Sequence, residues 1–586
     1  MSTTSAQPQP PDLPDPTDPA APTGSPAPAD PPDAPGLTDA PALTDPPDPP
    51  GSPAPADPPV APAPPVAPAP ADAPAPADAA EPRSKALRAA FRGFAAIETV
   101  GNKLPHPFWL FWILAGVVAV LSAVLAAAGV SAVHPGTGEK IEVLNLLSRD
   151  GVTMAVEGAV ENYAAFPPLA TILTVMFGIA VAERSGLFSA LLRRMVARVP
   201  GRYLTFALSM TAMVSHVAGD AAYVTLIPLG ALVYRAAGRS PVLGCIVAYV
   251  SISAGYDASP SLTTTDVLLS SISTAAARTI DADHVVSPVA NYFFGLASSV
   301  LVALVITLVV DKVLARRPDL EPDEPVAGLS ADELKAIEVT PRQRRALRVT
   351  GLVALGYAAV LAAAMIPASS PLRGAHGGIV DSPLISGMAL VLGVFFAVLG
   401  TVYGRTTGTF AAARDIVAAM ADGTRSMAPI LVLFFAISQF LAYFKWTNIG
   451  NVLAVSGAET LRDLRLDGWT VLVGIAVLIT LMNLLITSGS ALWALAAPVF
   501  IPMLMLIGIE PEATQAVYRV ADSVTNCVTP MSPYFVMALG FVQQYRKSAG
   551  IGTLASFTIP IAAVVWVVWI AFFVAWYLLG LPFGIG

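Results

Sequence analysis

The sequence predicts an all-α integral membrane protein of about nine transmembrane helices and two re-entrant hairpins. The hairpins belong to an inverted repeat, and a disordered tail precedes them. Three observations carry this. The 586 residues are 55% hydrophobic and only 13% charged, about half the charge fraction of a soluble domain, and the mean hydropathy is +0.65. Long apolar stretches recur along the chain. Two apolar regions interrupted by polar residues match one another at a single displacement. The composition argues against a soluble enzyme.

The tail comes first. Residues 1–82 hold 29 of the 54 prolines, eleven Asp, one Glu and no Lys or Arg, and Gly-Ser-Pro-Ala-Pro-Ala-Asp-Pro-Pro occurs at 24–32 and again at 51–59. Such a segment cannot bury enough apolar surface to offset its ordering entropy. It reads as a disordered acidic extension, either merely tolerated or used for docking. It has neither the basic start nor the apolar core of a signal peptide. The tail carries −12 of a formal net charge of −8, so residues 83–586, the predicted transmembrane domain, carry +4. That mild excess suits a membrane body with basic cytoplasmic loops. No clustered basic face suggests nucleic acid. Cys245 and Cys527 lie in apolar stretches and read as small packed thiols.

A basic run (Arg83, Lys85, Arg88, Arg92) leads into the first span near 107–133. Further spans are expected near 166–190, 286–313, 347–367, 384–404, 424–444 and 552–579. Regions 203–285 and 469–546 are apolar but broken by Gly, Pro, Ser, Thr, Asn and charge. Positive charge gathers at Arg193–Arg202, in the central loop 314–346, at Arg405 and Arg414, and at Arg546 and Lys547. These clusters should face the cytoplasm, and the loops 134–165, 257–285 and 368–383 should face outside. Parity then gives 203–285 one span and a hairpin, and gives 405–546 two spans and a hairpin. The N-terminus is expected inside.

A displacement of 270 residues lays one broken region on the other. Asp220-Ala-Ala-Tyr223 meets Ser490-Ala-Leu-Trp493, Pro228 meets Pro498, Ser253 meets Ser523 and Pro260 meets Pro530. The odd number of crossings expected between the copies inverts the second. Interrupted helices at matching places in two halves point to a transporter's binding site. Backbone that leaves the helix within a membrane must be buried in protein or line a cavity. The strings beginning at Ser251 and Asp522 are too polar for lipid. Prolines 260, 530 and 533 free carbonyls there, and hard oxygens of this kind suit a small cation.

An ionisable residue at mid-membrane costs about 2.5–3.5 kcal/mol on insertion scales, so each one is a functional candidate. Asp220 reads as an ion or proton site, or as the partner of a hydroxyl or of His216. Arg519 and Asp522 share a helix face and form either an internal ion pair or a substrate-and-cation pair. Asn483 either ligates a cation or bonds a neighbouring helix. Trp493 either stacks on an aromatic substrate or packs. Glu183 reads as an interfacial cap. No zinc spacing, P-loop or nucleophile elbow occurs, so neither ATP-driven transport nor an intramembrane enzyme is expected.

Several ordered strings resemble the p-aminobenzoyl-glutamate transporter (AbgT) family of bacterial inner-membrane proteins. They are Gly-Asn-Lys-Leu-Pro-His-Pro-Phe (101–108), Gly-Ile-Ala-Val-Ala-Glu-Arg-Ser-Gly-Leu (178–187) and Gly-Asp-Ala-Ala-Tyr-Val-Thr-Leu-Ile-Pro-Leu-Gly-Ala (219–231). Ser488-Gly-Ser-Ala-Leu-Trp-Ala, Tyr518-Arg-Val-Ala-Asp-Ser and Asn526-Cys-Val-Thr-Pro-Met-Ser-Pro-Tyr complete the set, and the likeness covers about 101–580. The resemblance implies nine transmembrane helices, two hairpins and a bowl-shaped homodimer in the inner membrane, surrounded by lipid. It implies transport of p-aminobenzoyl-glutamate or related aromatic carboxylates, and in some members efflux of sulfonamide antimetabolites. It implies drive by Na+ or H+ with no other cofactor. Carried over by position, it assigns the important acid to Asp220, sodium ligands to Asn483 and Asp522, and the substrate path to Ser490, Trp493, Pro511, Arg519 and Pro530. Where the family often has a Ser-Ala-Asn-type stretch, this chain has Gly255-Tyr-Asp-Ala-Ser-Pro, which adds Asp257. A passive channel remains the reading from another class.

Overall fold

The structure, a computed structural model, describes residues 105–585 except 134–137, 139, 197–198, 318–319, 321, 324–337, 368, 375–376 and 379–381. The acidic tail 1–82, the basic run after it and most of the central loop lie outside the described residues.

Helices dominate. In chain order they are α1 (Pro107–Ala127), α2 (Arg149–Glu157), α3 (Ala159–Ala164), α4 (Pro167–Arg184), α5 (Leu187–Val196), α6 (Leu204–Ser215) and α7 (Ala221–Ala236). Then come α8 (Pro241–Ala254), α9 (Thr264–Ala277), α10 (Tyr292–Lys312), α11 (Pro341–Met365), α12 (Pro383–Ser386), α13 (Met388–Thr407) and α14 (Ala413–Trp446). The last six are α15 (Ile449–Asp463), α16 (Gly468–Asn483), α17 (Gly489–Met505), α18 (Pro511–Thr525), α19 (Pro533–Gln543) and α20 (Ile551–Leu578). Among the described residues seven are long and apolar enough to cross a membrane: α1, α4, α10 (extended to Arg316), α11, α13, α14 and α20. These are the seven uninterrupted spans expected from sequence, and the broken regions supply the shorter apolar helices α7, α8, α16, α17 and α19.

Local differences have local causes. The first span ends at Ala127, because Ser131–Val133 pairs antiparallel with Lys140–Glu142 in a small two-stranded sheet, β1 and β2. The stretch between α1 and α4 also holds α2 and α3. α11 starts earlier than expected, within the basic cluster. Thr340 caps it in a reciprocal bond with Gln343, and Pro341 occupies the first turn, where a missing N–H has no consequence. Gly186, at φ +83°, breaks the second span into α4 and α5.

Small residues let the long helices approach backbone to backbone, as membrane helices do. A Cβ on Gly178 of α4 would sit 1.9 Å from the Gly393 carbonyl of α13, and one on Gly393 would sit 2.5 Å from the Thr174 carbonyl.

The 270-residue displacement is visible in the fold. Pro241 opens α8 and Pro511 opens α18, while α9 and α19 start within one residue of the same offset. Packing is reciprocal: α9 lies on α17 and α19 lies on α7, while α6 supports α8 as α16 supports α18. α8 and α18 also meet one another. Exchanged contacts of this sort are what a two-fold relation between repeats produces.

Candidate functional site

The site grows from α8, in which every residue is buried, and from α18, in which every residue but Glu512 is. α18 nevertheless carries Gln515, Arg519, Asp522 and Ser523. Buried polar groups need partners, and the other repeat provides several of them.

Arg519 is 5% exposed. Its NH1 donates to Asp266 Oδ1 at 2.7 Å and lies 3.6 Å from Asp257 Oδ1. Asp266 is held in turn, because its Oδ2 accepts from the Thr263 N–H at 2.7 Å and the Thr263 hydroxyl at 2.8 Å, closing a capping box at the start of α9. A helix cap in the first repeat thus aims a carboxylate at a guanidinium in the second. Asp257 bonds across the same junction. Its N–H donates to Ser523 Oγ at 3.0 Å, and its Oδ2 lies 3.3 Å from that oxygen.

The shared face of Arg519 and Asp522 does not produce an ion pair between them. Asp522 turns toward α17 instead, where the Tyr518 hydroxyl lies 3.3 Å from its Oδ1 and donates to the Gly489 carbonyl at 2.5 Å. Gly489 makes room: a Cβ there would stand 2.9 Å from Asp522 Oδ2. Asn483, at the end of α16, closes the second-repeat half. Its Nδ2 donates to the Asp522 carbonyl at 2.6 Å, Thr525 Oγ1 at 2.6 Å and Asn526 Oδ1 at 3.1 Å. Its own Oδ1 is buried without a partner. An orphaned amide oxygen on the residue that caps the Asp522 carbonyl is a hard donor of the kind a small cation takes. Among the described residues no group of three His, Cys, Asp or Glu side chains gathers for a metal.

Trp493 is fully buried. It packs on Tyr518 with ring centroids 4.3 Å apart and donates to Ser273 Oγ at 3.1 Å. Ser273 meets the Gln515 amide at 2.6 Å, and Gln515 meets Asn291 at 2.9 Å. With its amide turned, Gln515 donates to Ser273 Oγ at 2.6 Å and to the Leu269 carbonyl at 3.3 Å and accepts from Arg519 NH2 at 3.2 Å. Ser490 sits in the first turn of α17, its hydroxyl 3.3 Å from that of Ser488, which caps the helix. Pro511 begins α18, and Pro530 lies in the half-buried turn after it.

Asp220 stands apart from this cluster. It is exposed at the start of α7 and accepts a bond from the Tyr534 hydroxyl, whose ring stacks on Tyr223 at 4.1 Å. A hydroxyl is thus its partner; His216 bonds elsewhere. His216 Nε2 lies 2.9 Å from the Ile252 carbonyl. The 270-residue offset sets Ile252 on Asp522, so His216 occupies in the first repeat the carbonyl position that Asn483 occupies in the second. Glu183 is exposed in the last turn of α4.

The structure therefore gathers Asn483, Ser490, Trp493, Arg519 and Asp522 and leaves Asp220 outside. Sequence reasoning missed Asp266, Gln515, Tyr518 and Tyr534. Only Asp266 carried a local signal, the Thr-x-x-Asp cap.

A second feature lies beyond α9. A cavity of about 300 Å³ opens between the α3–α4 junction, α14, α15, α9 and α17, lined by Phe166, Phe444, Ser438 and Asn451 with Arg278 and Lys445. Neither cation has a carboxylate partner among the described residues. The volume is at the lower end for small-molecule sites.

A family model described as the AbgT putative transporter family matches residues 92–586. The chain is 38% identical over 494 residues to the p-aminobenzoyl-glutamate transport protein of Escherichia coli (strain K12), covering 84% of this chain and 95% of that one. Two solved transporters share the fold. The Alcanivorax borkumensis YdaH transporter, described as having an unusual topology, matches with TM-score 0.77 and 39% identity over 82% of this chain and 100% of its own. MtrF of Neisseria gonorrhoeae, described as illuminating a class of antimetabolite efflux pumps, matches with TM-score 0.78 and 37% identity over 83% of this chain and 97% of its own.

Proposed function

The chain belongs to the AbgT putative transporter family and is a membrane transport protein rather than an enzyme, and from that premise we propose that it is a cation-coupled secondary transporter of p-aminobenzoyl-glutamate or a related aromatic carboxylate. It works in the bacterial inner membrane as a homodimer with its N-terminus in the cytoplasm. The observation that carries the coupling is the charge balance at the repeat junction. One guanidinium, Arg519, is paired with two carboxylates, Asp266 at 2.7 Å and the buried Asp257 at 3.6 Å, while a third, the buried Asp522, lies three residues along α18. A low-dielectric site does not hold uncompensated carboxylates, so cations or protons must balance them. The orphaned Asn483 Oδ1 and the carboxylate of Asp522 are the ligands we assign to the coupling cation.

Arg519 Nε is also buried without a partner. It offers a donor for a substrate carboxylate, which competes with Asp266 for the guanidinium. Trp493, joined to Arg519 through Ser273 and Gln515, meets a substrate only once it leaves Tyr518, and Ser490 is the residue we assign beside it. Pro511 and Pro530 fix the two ends of the segment that carries Arg519. Asp220, on the separate Tyr534 contact, changes partner during the cycle. The cavity beyond α9 supports the substrate class: Phe166 and Phe444 suit an aromatic ring, while Arg278 and Lys445 suit the two carboxylates of p-aminobenzoyl-glutamate.

The likeness to MtrF favours a second reading, outward transport of antimetabolites such as sulfonamides. Liposomes separate the readings. Accumulation of labelled p-aminobenzoyl-glutamate against its gradient, driven by Na+ or H+, is expected. Gradient-independent equilibration contradicts coupling, and sulfonamide flux without p-aminobenzoyl-glutamate flux selects the second reading.

A further inference from the structure

The two repeats end their broken helices with different chemistry. At the end of α18 the junction carries Asp522, Thr525 and Asn526. After α8 it carries Asp257, Ser259 and Ser261. The 270-residue offset sets Asp257 on Cys527, next to Asn526. Asp257 is 5% exposed. One of its oxygens is engaged by Ser523, but Oδ1 has no hydrogen-bond partner. Asp257 lines a cavity of about 10 Å³ together with Ser259, Ser261, Asp266, Asn291 and Arg519, among others. This is the space of one water-sized sphere.

The neighbouring charges sharpen the case. Asp266 is satisfied on both oxygens, by Thr263 and by Arg519. Arg519 takes Asp266 at 2.7 Å and leaves Asp257 at 3.6 Å, so the guanidinium is matched by Asp266 and Asp257 is left over. The Ser259 and Ser261 hydroxyls lie 3.2 Å apart, bonded to one another across the cavity wall. The C-terminal end of α8, with its unpaired carbonyls, adds negative potential. One free carboxylate oxygen and two hydroxyls do not make a divalent site, which collects more carboxylate oxygen. They suit a compact monovalent cation.

We propose that the end of α8 holds a second cation site, in which Asp257 Oδ1 and the hydroxyls of Ser259 and Ser261 ligate one sodium ion. This rests on the coupling reading above and deepens it: each chain then carries two sodium ions, one in each repeat. No oxygen of Asp257 is left unmatched in the loaded state, and Arg519 is freed from the pull of Asp257 to meet a substrate carboxylate.

The test counts ²²Na+ bound at saturation per purified full-length chain, by scintillation proximity, with choline holding ionic strength constant. The wild type binds two. Asp257→Ser binds one and keeps the ion at Asn483 and Asp522, while Asp522→Asn binds one and keeps the ion at Asp257. Ser259→Ala retains both sites but weakens one of them about tenfold, the effect of losing roughly 1.4 kcal/mol; it covers the case in which Asp257→Ser does not fold. A wild type that binds one ion, lost in Asp522→Asn and kept in Asp257→Ser, overturns this inference and leaves sodium coupling standing. A wild type that binds none overturns both.

Discussion

At the residue scale the fold leaves several buried side chains that it cannot satisfy by itself. Asn483 Oδ1, Arg519 Nε and Asp257 Oδ1 are all buried and unpartnered, and all lie at the junction of the repeats. Gly489 shows how closely that junction is fitted. Its missing side chain is the space in which Asp522 sits, so Gly489→Ala is expected to push the carboxylate aside. Transport should fall at least tenfold, while stability drops by the about 1–3 kcal/mol typical of overpacking; flux and thermal unfolding of the same preparation check it. Arg519→Lys should fare little better than Arg519→Ala, because an ammonium cannot hold Asp266 and a substrate carboxylate in one planar fork. Substrate-concentration curves in vesicles measure this. Lys445→Ala and Arg278→Ala should raise half-saturation with little change in maximal rate, since their cavity lies away from the Arg519 cluster.

At the element scale, short helices do what long ones cannot. α8 and α18 stop inside the protein, and their ends supply carbonyls and polar side chains where an unbroken span would supply only Leu and Val. The prolines in the turns at Pro260 and Pro530 were legible because proline punctuates helices in any environment, whereas Pro241 and Pro511 were not read as the helix starts they are. The seven long spans were legible because an apolar run of that length has one common explanation. The β1–β2 pair, α2 and α3 were not, since short outer elements leave no periodic signal above that of a loop. The early start of α11 was obscured by its arginines, whose long stems let charge sit at a membrane helix end. The close contact of α4 and α13 yields a direct test. Gly393→Leu should separate the two helices and destabilise the protein by about 1–3 kcal/mol or more, read as a lowered midpoint in detergent, whereas Gly351→Leu on α11, where a Cβ meets nothing within 4 Å, should be nearly silent.

At the scale of the whole molecule, the repeat joins the observations. A displacement found in a handful of identities also gives helix starts, reciprocal packing and the matched roles of His216 and Asn483. The cross-repeat pairing of Arg519 with Asp266 was not legible, because 253 positions separate the two residues and no local rule spans that distance. Nor was the burial of Trp493 against Tyr518, which depends on how α17 meets α18. The central claim is that charge left over at the repeat junction is balanced by a transported cation. It is tested most directly in proteoliposomes, by following labelled p-aminobenzoyl-glutamate with and without an imposed Na+ gradient, and then with a proton gradient at matched potential. Accumulation above equilibrium under one of these gradients, abolished in Asp522→Asn, is the predicted result. Equilibration at the same rate whatever the gradient, with Asp522→Asn indistinguishable from wild type, would contradict it.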